Sequence, residues 1–419
     1  MSRTLYSLIF TLCMPLILLR LLYRARKAPA YRKRWHERFA LGGDVRPGGI
    51  WVHAVSVGES IAAAPLVRQL LRSYPHLPLT ITCMTPTGSE QIRKLFGDQV
   101  GHAYLPYDLP WLQRRFIKRL RPHIGIIMET ELWPNMVREA KDQGIPLVLA
   151  NARLSERSAR GYRRISWLVE PMFAALDWVA VQTQAEAMRF ERLGVSPDAM
   201  QVTGSIKFDL QPEPEIVQQA AALRATWGQR PVWIAASTHA GEDEQVLAAH
   251  REVLAAHPEA LLILVPRHPE RFDDVAELIE TAGMPMVRRS SEATPAATDQ
   301  VFLGDSMGEL MMLYGCADVA FIGGTLAAHG GHNYLEPAAL GLPIISGPHR
   351  YNFAEISELL EGAGALRQVR DAKTLAAAVS EWLEQPEAAR RAGAAGQGVV
   401  QDNQGALERL LKGIAQRLK

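Results

Sequence analysis

Carboxylates and cationic side chains gather where short apolar runs end. In Val52-His53-Ala54-Val55-Ser56-Val57-Gly58-Glu59-Ser60, Glu59 stands at a helix start just beyond such a run. It is either an N-terminal acid favoured by the helix dipole or a general base that takes a proton from a hydroxyl. Glu129-Thr130-Glu131-Leu132-Trp133-Pro134-Asn135 sets two carboxylates after another run, and either could face a site because alternate strand residues point oppositely. Gly204-Ser205-Ile206-Lys207-Phe208-Asp209 adds an ammonium. Lys207 is either solvated, as most lysines are, or placed to stabilise charge on a leaving phosphate.

A second group of motifs suits an anionic ligand. Ser237-Thr238-His239 and Pro266-Arg267-His268-Pro269-Glu270-Arg271 both follow apolar runs. The planar fork of Arg267 fits a phosphate or carboxylate, and His268 is either a ligand-binding or a capped loop histidine. Gly304-Asp305-Ser306-Met307-Gly308-Glu309 reads as a loop entering a helix. Its backbone could recognise a base edge, or Asp305 or Ser306 could simply cap that helix, with Glu309 in its first turn. Gly330-Gly331-His332-Asn333-Tyr334-Leu335-Glu336-Pro337 combines paired glycines, which let N–H groups approach an anion, with an acid placed to accept bonds from ribose hydroxyls. This last segment reads as a cradle for a nucleotide sugar.

Other chemistries find no matching pattern. No Asp-x-Asp pair or P-loop is present. Glu242-Asp243-Glu244 is the nearest acidic cluster and reads as a solvated helix start. The three cysteines, Cys13, Cys83 and Cys316, match no metal or redox spacing.

The elements that must position these residues are apolar runs alternating with amphipathic stretches. Runs at 50–54, 79–83, 124–128, 146–150 and 178–182 read as strands, and a new cycle begins at 232–236 and continues through 261–265, 318–322 and 343–345. Strands separated by helices imply parallel βαβ units. With 419 residues, two doubly wound α/β domains are expected, joined near the Pro-rich stretch at 211. The expected spans are 25–210 and 211–419, with the ligand in the cleft that the domains face. The net charge of +2 gives no field for nucleic acid. Residues 1–24 form an apolar stretch from Leu5 to Leu22, followed by a basic cluster, Arg20, Arg24, Arg26, Lys27, Arg32, Lys33, Arg34 and Arg38. That order predicts an uncleaved membrane-anchor helix with the body on the cytoplasmic face and the basic cluster toward anionic lipid heads.

Taken together, VHAVSVGES, ETELWPN, GSIKFD, PRHPER and GGHNYLEPAALGLPII resemble the Kdo (3-deoxy-D-manno-octulosonic acid) transferases of lipopolysaccharide biosynthesis, glycosyltransferase family 30, over nearly the whole chain. The resemblance implies a GT-B fold of two Rossmann-like domains at the inner membrane, CMP-Kdo as donor and the lipid A precursor, lipid IVA, as acceptor. It implies inversion at the anomeric carbon with no metal or other cofactor. Glu59 is the implied catalytic base, with Glu129 and Lys207 assisting the transition state. The implied CMP-binding residues are Arg267, His268, Met307, Gly308, Glu309, Asn333, Tyr334, Leu335 and Glu336. The rival expectations are a heptosyltransferase using an ADP-sugar and a membrane-tethered nucleotide-binding protein without catalysis.

Overall fold

The computed structural model describes residues 2–418, which form two compact units, 2–209 with 404–418 and 210–403. Each is built on a seven-stranded parallel sheet. In the first, β1 (Ile50–His53), β2 (Leu79–Cys83), β3 (Gly101–Tyr104), β4 (Ile124–Met128), β5 (Leu147–Ala152), β6 (Trp178–Val181) and β7 (Met200–Val202) run in the order β3-β2-β1-β4-β5-β6-β7. In the second, β8 (Val232–Thr238), β9 (Leu261–Pro266), β10 (Met286–Arg288), β11 (Val301–Leu303), β12 (Val319–Ile322), β13 (Ile344–Ser346) and β14 (Leu366–Gln368) run β10-β11-β9-β8-β12-β13-β14. Both are doubly wound, and the direction of winding reverses between β1 and β4 and between β8 and β12.

Helices cover both faces of each sheet, so the inner strands must be apolar at every position. Along β1, Trp51 joins one core layer with Ile127, Leu149 and Val179, while Ile50 and Val52 join the other with Ile126, Val148 and Ala180. This continuous apolar pattern made the inner strands readable. β3, β7, β10, β11 and β14 were not expected; all but β3 are three residues long, and β7 and β10 lie only partly buried.

The chain leaves the first unit near residue 210, as the Pro-rich stretch suggests, but the expected 211–419 domain is wrong at its end. Helix Ala406–Ala415 returns to the first unit, where Ala406, Leu410 and Ile414 are buried beside Trp178 and Ile206. A Cβ on Gly413 would fall 2.1 Å from the Trp178 ring, so only glycine lets this helix approach so closely. The Asp209 carboxylate accepts the Gly405 and Leu407 N–H groups at 2.6 Å each, joining the exit and return of the chain.

The N-terminal helix, Ser2–Lys27, continues through Pro15 and lies along the first unit. Met14, Leu21 and Ala25 are buried, and Phe10, Ile17 and Leu18 pack against the same core layer. Ser7 pairs with Asn135, its hydroxyl oxygen accepting from Nδ2 at 3.0 Å. The opposite stripe, Leu5, Leu8, Ile9, Leu12, Leu16, Leu19 and Leu22, is exposed at helical spacing, with Leu12 70% exposed. By length and composition the helix suffices to cross a bilayer. The expected basic cluster divides. Arg34 grips the Glu37 carboxylate at 2.6 and 2.7 Å, and Arg38 is only 4% exposed, so neither faces outward with the rest of the cluster. Met1 and the Lys27 side chain lie outside the described residues.

Candidate active site

In the first unit the candidate residues sit at the carboxyl ends of β1 and β4, where the winding reverses and where doubly wound sheets bind ligands. Helix Val57–Ser73 follows β1 and is capped by Ser56, whose Oγ accepts the Glu59 N–H at 3.4 Å. The Glu59 carboxylate reaches back in return, accepting the Val55 N–H and the Ser56 hydroxyl at 2.8 Å each. The capping reading holds, and the same bonds keep the Glu59 carboxylate in a fixed orientation. Burial pushes its carboxyl up to about 7; the bonds from Val55 and Ser56 oppose the shift, while Glu131 and Glu129 add to it. A carboxyl tuned to neutrality is matched to proton transfer at that pH.

The acids after β4 form the rest of this cluster. Glu129 adopts a left-handed φ of 56°, uncommon for a residue with a Cβ, and its N–H is tied to the Ala150 carbonyl at 2.9 Å. Glu131 is raised by burial and by Glu129, and its charge acts on Glu59 more strongly than that of Glu129. Both acids thus lie within electrostatic reach of Glu59, Glu131 among them although the expected catalytic set names only Glu129. Asn135 is structural: it binds the Asp108 carbonyl at 2.7 Å and is buried under the N-terminal helix.

Lys207 rides on the 3₁₀ turn Ile206–Phe208. Asn151, at the bulged end of β5, has a φ of 52° and accepts the Ile206 N–H on Oδ1 at 3.1 Å. This buried amide, unsuspected from sequence, holds the lysine's turn against the sheet. Its only advance signal was Asn, which tolerates left-handed backbone, at the end of an apolar run.

In the second unit the expected ligand-binding residues follow β9, β11 and β12. The reading of Glu242-Asp243-Glu244 as a solvated face fails, because Glu242 and Asp243 are fully buried. The Glu242 carboxylate accepts five backbone N–H groups, from His239, Gly324, Thr325, Leu326 and Ala327, at 2.6 to 3.2 Å. It thereby ties the loop after β12 to the end of β8. Asp243 receives the Thr238 hydroxyl at 2.6 Å and a bond from Arg271. Gly323 is needed because a Cβ there would lie 2.5 Å from the Ser237 carbonyl oxygen. A glycine pair closing an apolar run was the available hint that N–H groups there needed an acceptor.

Around this anchored loop stand four histidines. His239 stacks on His329 at 4.0 Å between ring centroids, meets His268 edge-on at 5.5 Å, and shares a 2.8 Å contact between Nε2 atoms with His332. Burial lowers His239 and His332 to about 4 each, so both rings are neutral at pH 7. Arg267, exposed at the end of β9, acts electrostatically on both His332 and Glu336. Burial raises Glu336, while the Asn333 amide, 3.0 Å away, and Arg267 oppose that shift. Arg267, His268, Asn333 and Glu336 are therefore brought to one place. Neutral imidazoles, a guanidinium and a carboxylate suit a phosphorylated nucleoside, with cation for phosphate and acid for ribose.

The remaining expected positions differ in kind. Tyr334 is fully buried with its hydroxyl 2.8 Å from Ser346 Oγ, and Leu335 is buried beside it, so their side chains support the loop instead of lining it. Met307 is exposed and Gly308 has a φ of 90°. Glu309 is paired with Arg289 at 2.7 Å, which holds its carboxyl below the usual range. Neither Asp305 nor Ser306 caps the following helix through its side chain; Asp305 instead accepts the Ser290 N–H at 2.8 Å and pairs with Arg288 at 2.6 Å.

Comparison with known proteins agrees with this architecture. A family described as 3-deoxy-D-manno-octulosonic-acid transferase (kdotransferase) matches residues 33–210, and the glycosyl transferases group 1 family matches residues 231–399. The 3-deoxy-D-manno-octulosonic acid transferase of Haemophilus influenzae is 47% identical, over 98% of this chain and 97% of its own. That of Bordetella pertussis is 38% identical over 97% and 99% of the two chains. A glycosyltransferase structure from Rickettsia africae shares the fold, with a TM-score of 0.56 at 14% identity over 89% of this chain and 99% of its own. The fold is thus GT-B-like, and the chain belongs to the Kdo transferase family of glycosyltransferases.

Proposed function

We propose that this chain transfers Kdo from CMP-Kdo to a sugar hydroxyl of lipid IVA, with inversion and with Glu59 as general base. The observation that carries the reading is the fixed, buried Glu59 carboxyl held near neutrality beside Glu129 and Glu131. The acceptor oxygen forms its bond to the anomeric carbon as the bond from that carbon to the CMP phosphate oxygen breaks. The acceptor proton passes to Glu59, and CMP departs with the electron pair. One displacement inverts the centre without a covalent enzyme intermediate. Arg267 and His268 hold the phosphate, Glu336 takes the ribose, and Lys207 and Glu129 assist the charge-separated transition state. Cationic side chains meet the leaving-group charge in this scheme, so transfer is expected to survive chelation.

The exposed leucine stripe of the N-terminal helix supports residence at the cytoplasmic face of the inner membrane. Glu59→Ala tests the chemistry: CMP binding by calorimetry should match wild type, while transfer to lipid IVA, followed by mass spectrometry, should vanish. Near-normal transfer by that variant would remove the base assignment.

A further inference from the structure

Between the N-terminal helix and the first unit runs a groove of about 370 Å³, within the range of ligand pockets. Phe10, Ile17 and Leu21 of the helix form one wall; Met84, Tyr107 and Trp133 form the other. Arg20, Arg24 and Arg38 also line it. Two features of this lining are left unsatisfied. Arg38, 4% exposed, binds the Met84 carbonyl at 2.9 Å and lies over the Tyr104 ring at 4.3 Å, yet its Nε has no partner. Among the described residues no carboxylate pairs with it, whereas the neighbouring Asp108 carboxylate is occupied by the Asn135 and Met136 N–H groups. The indole N–H of Trp133 is likewise buried without a partner. A buried guanidinium without a counter-charge and a buried donor without an acceptor both cost stability unless a ligand supplies the missing group.

The groove adjoins the catalytic residues. Thr85, in its lining, donates to the Val55 carbonyl at 3.3 Å, and the Val55 N–H holds Glu59. Trp133 belongs to the loop that carries Glu129 and Glu131.

We infer that this groove binds the acceptor itself, an acylated phosphosugar. One acyl chain lies along the apolar walls, its carbonyl meets the Trp133 N–H, and a phosphate meets Arg20, Arg24 and Arg38. The occupant follows from charge and shape: apolar walls suit an aliphatic chain, and the buried Arg38 with the exposed Arg20 and Arg24 beside it suits an anion attached to that chain. The inference rests on the lipid acceptor of the proposed function and adds where that lipid sits.

The test uses the full chain in detergent, without donor, and a glucosamine disaccharide phosphate bearing acyl chains tipped with a diazirine. Irradiation and peptide mapping should place the label on the segment from Phe10 to Arg24 and on the segments containing Met84 and Tyr107. Leu21→Trp, which fills the groove, should cut labelling about tenfold, and Ile17→Trp is a second filling variant one turn away. Arg38→Met should weaken the phosphorylated probe more than its phosphate-free analogue. Label elsewhere, labelling indifferent to both filling variants, or equal displacement by excess phosphatidylglycerol would overturn the assignment. Since no donor is present, these results stand apart from the transfer reaction. A chain that labels in the groove yet moves no Kdo would instead sink the proposed function.

Discussion

The Nε2 atoms of His239 and His332 lie 2.8 Å apart with their rings within 5° of parallel, so one nitrogen carries the proton and the other supplies the lone pair. Neither ring can turn without breaking this bond, which fixes the loop after β12 against the end of β8. His332→Ala should therefore raise the Kd for CMP about tenfold, while leaving the circular dichroism spectrum unchanged. Unaltered CMP affinity in calorimetry would show that the pair has no part in the donor site.

Glu242 makes a stronger demand, because its five N–H donors have no other acceptor among the described residues. Glu242→Ala should destabilise the second unit by about 4 kcal/mol, as expected when several buried groups lose a charged partner. Glu242→Gln should lie between the two. Denaturant unfolding monitored by tryptophan fluorescence distinguishes these outcomes, and an alanine variant as stable as wild type would refute the anchoring role.

Glu59 couples activity to pH. Its folded value of about 7 stands above its ordinary 4.5, so the protonated carboxyl contributes stability that is fully present below 4.5 and lost as pH rises through 7. The rate runs the other way: transfer should rise with pH along a limb centred near 7, since only the carboxylate accepts a proton. Glu59→Gln should lower kcat by about 10³ and flatten the change in melting temperature across that window. A rate independent of pH between 5 and 8, roughly the window expected for such a group, would contradict this.

His250 carries the opposite sign. The indole N–H of Trp233 donates to its Nδ1 at 3.0 Å, and its Nε2–H meets the Gln300 carbonyl at 2.9 Å, so both ring nitrogens are satisfied only in the neutral form. Burial lowers it from 6.5 to about 4, so its contribution is present above 6.5 and lost as pH falls toward 4. His250→Gln should melt lower at pH 7 but lose less on acidification. Equal acid sensitivity in the two proteins would exclude His250 as a contributor.

Asn151 separates backbone strain from hydrogen bonding. Alanine loses the Ile206 bond and keeps the unfavourable φ of 52°, whereas glycine loses only the bond. Asn151→Ala should thus be less stable than Asn151→Gly by about 1 kcal/mol, and both should lower kcat more than donor affinity by loosening the turn that carries Lys207. Identical stability of the two variants would show that the strain is relieved elsewhere.

Legibility in the sequence followed the physics of each element. Inner strands such as Ile124–Met128 announced themselves because burial on both faces requires unbroken apolar runs. Met200–Val202 did not, being short and partly exposed. Glu59, Arg267 and Glu336 stood out as candidates because they are polar groups that follow apolar runs, a signal that Glu242 and Asn151 share while serving the backbone. Glu242 was missed because four of its five donors come from residues more than eighty positions away, and a helix start in sequence looks the same whether solvated or buried. The orientation of the Tyr334 side chain was illegible for the converse reason: adjacency to Asn333 and Glu336 says nothing of which way a ring turns, and Ser346 decides that.

The return of helix Ala406–Ala415 to the first unit governs the order of assembly during synthesis. Ribosomes deliver the chain from its N-terminus at about 5 to 20 residues per second, so the unit begun first is the last to be completed. The second unit has all its residues before Leu410 and Ile414 can cover the Trp178 face of the first. Until then a nascent chain exposes that apolar face, and a premature stop before residue 404 would leave it uncovered for good.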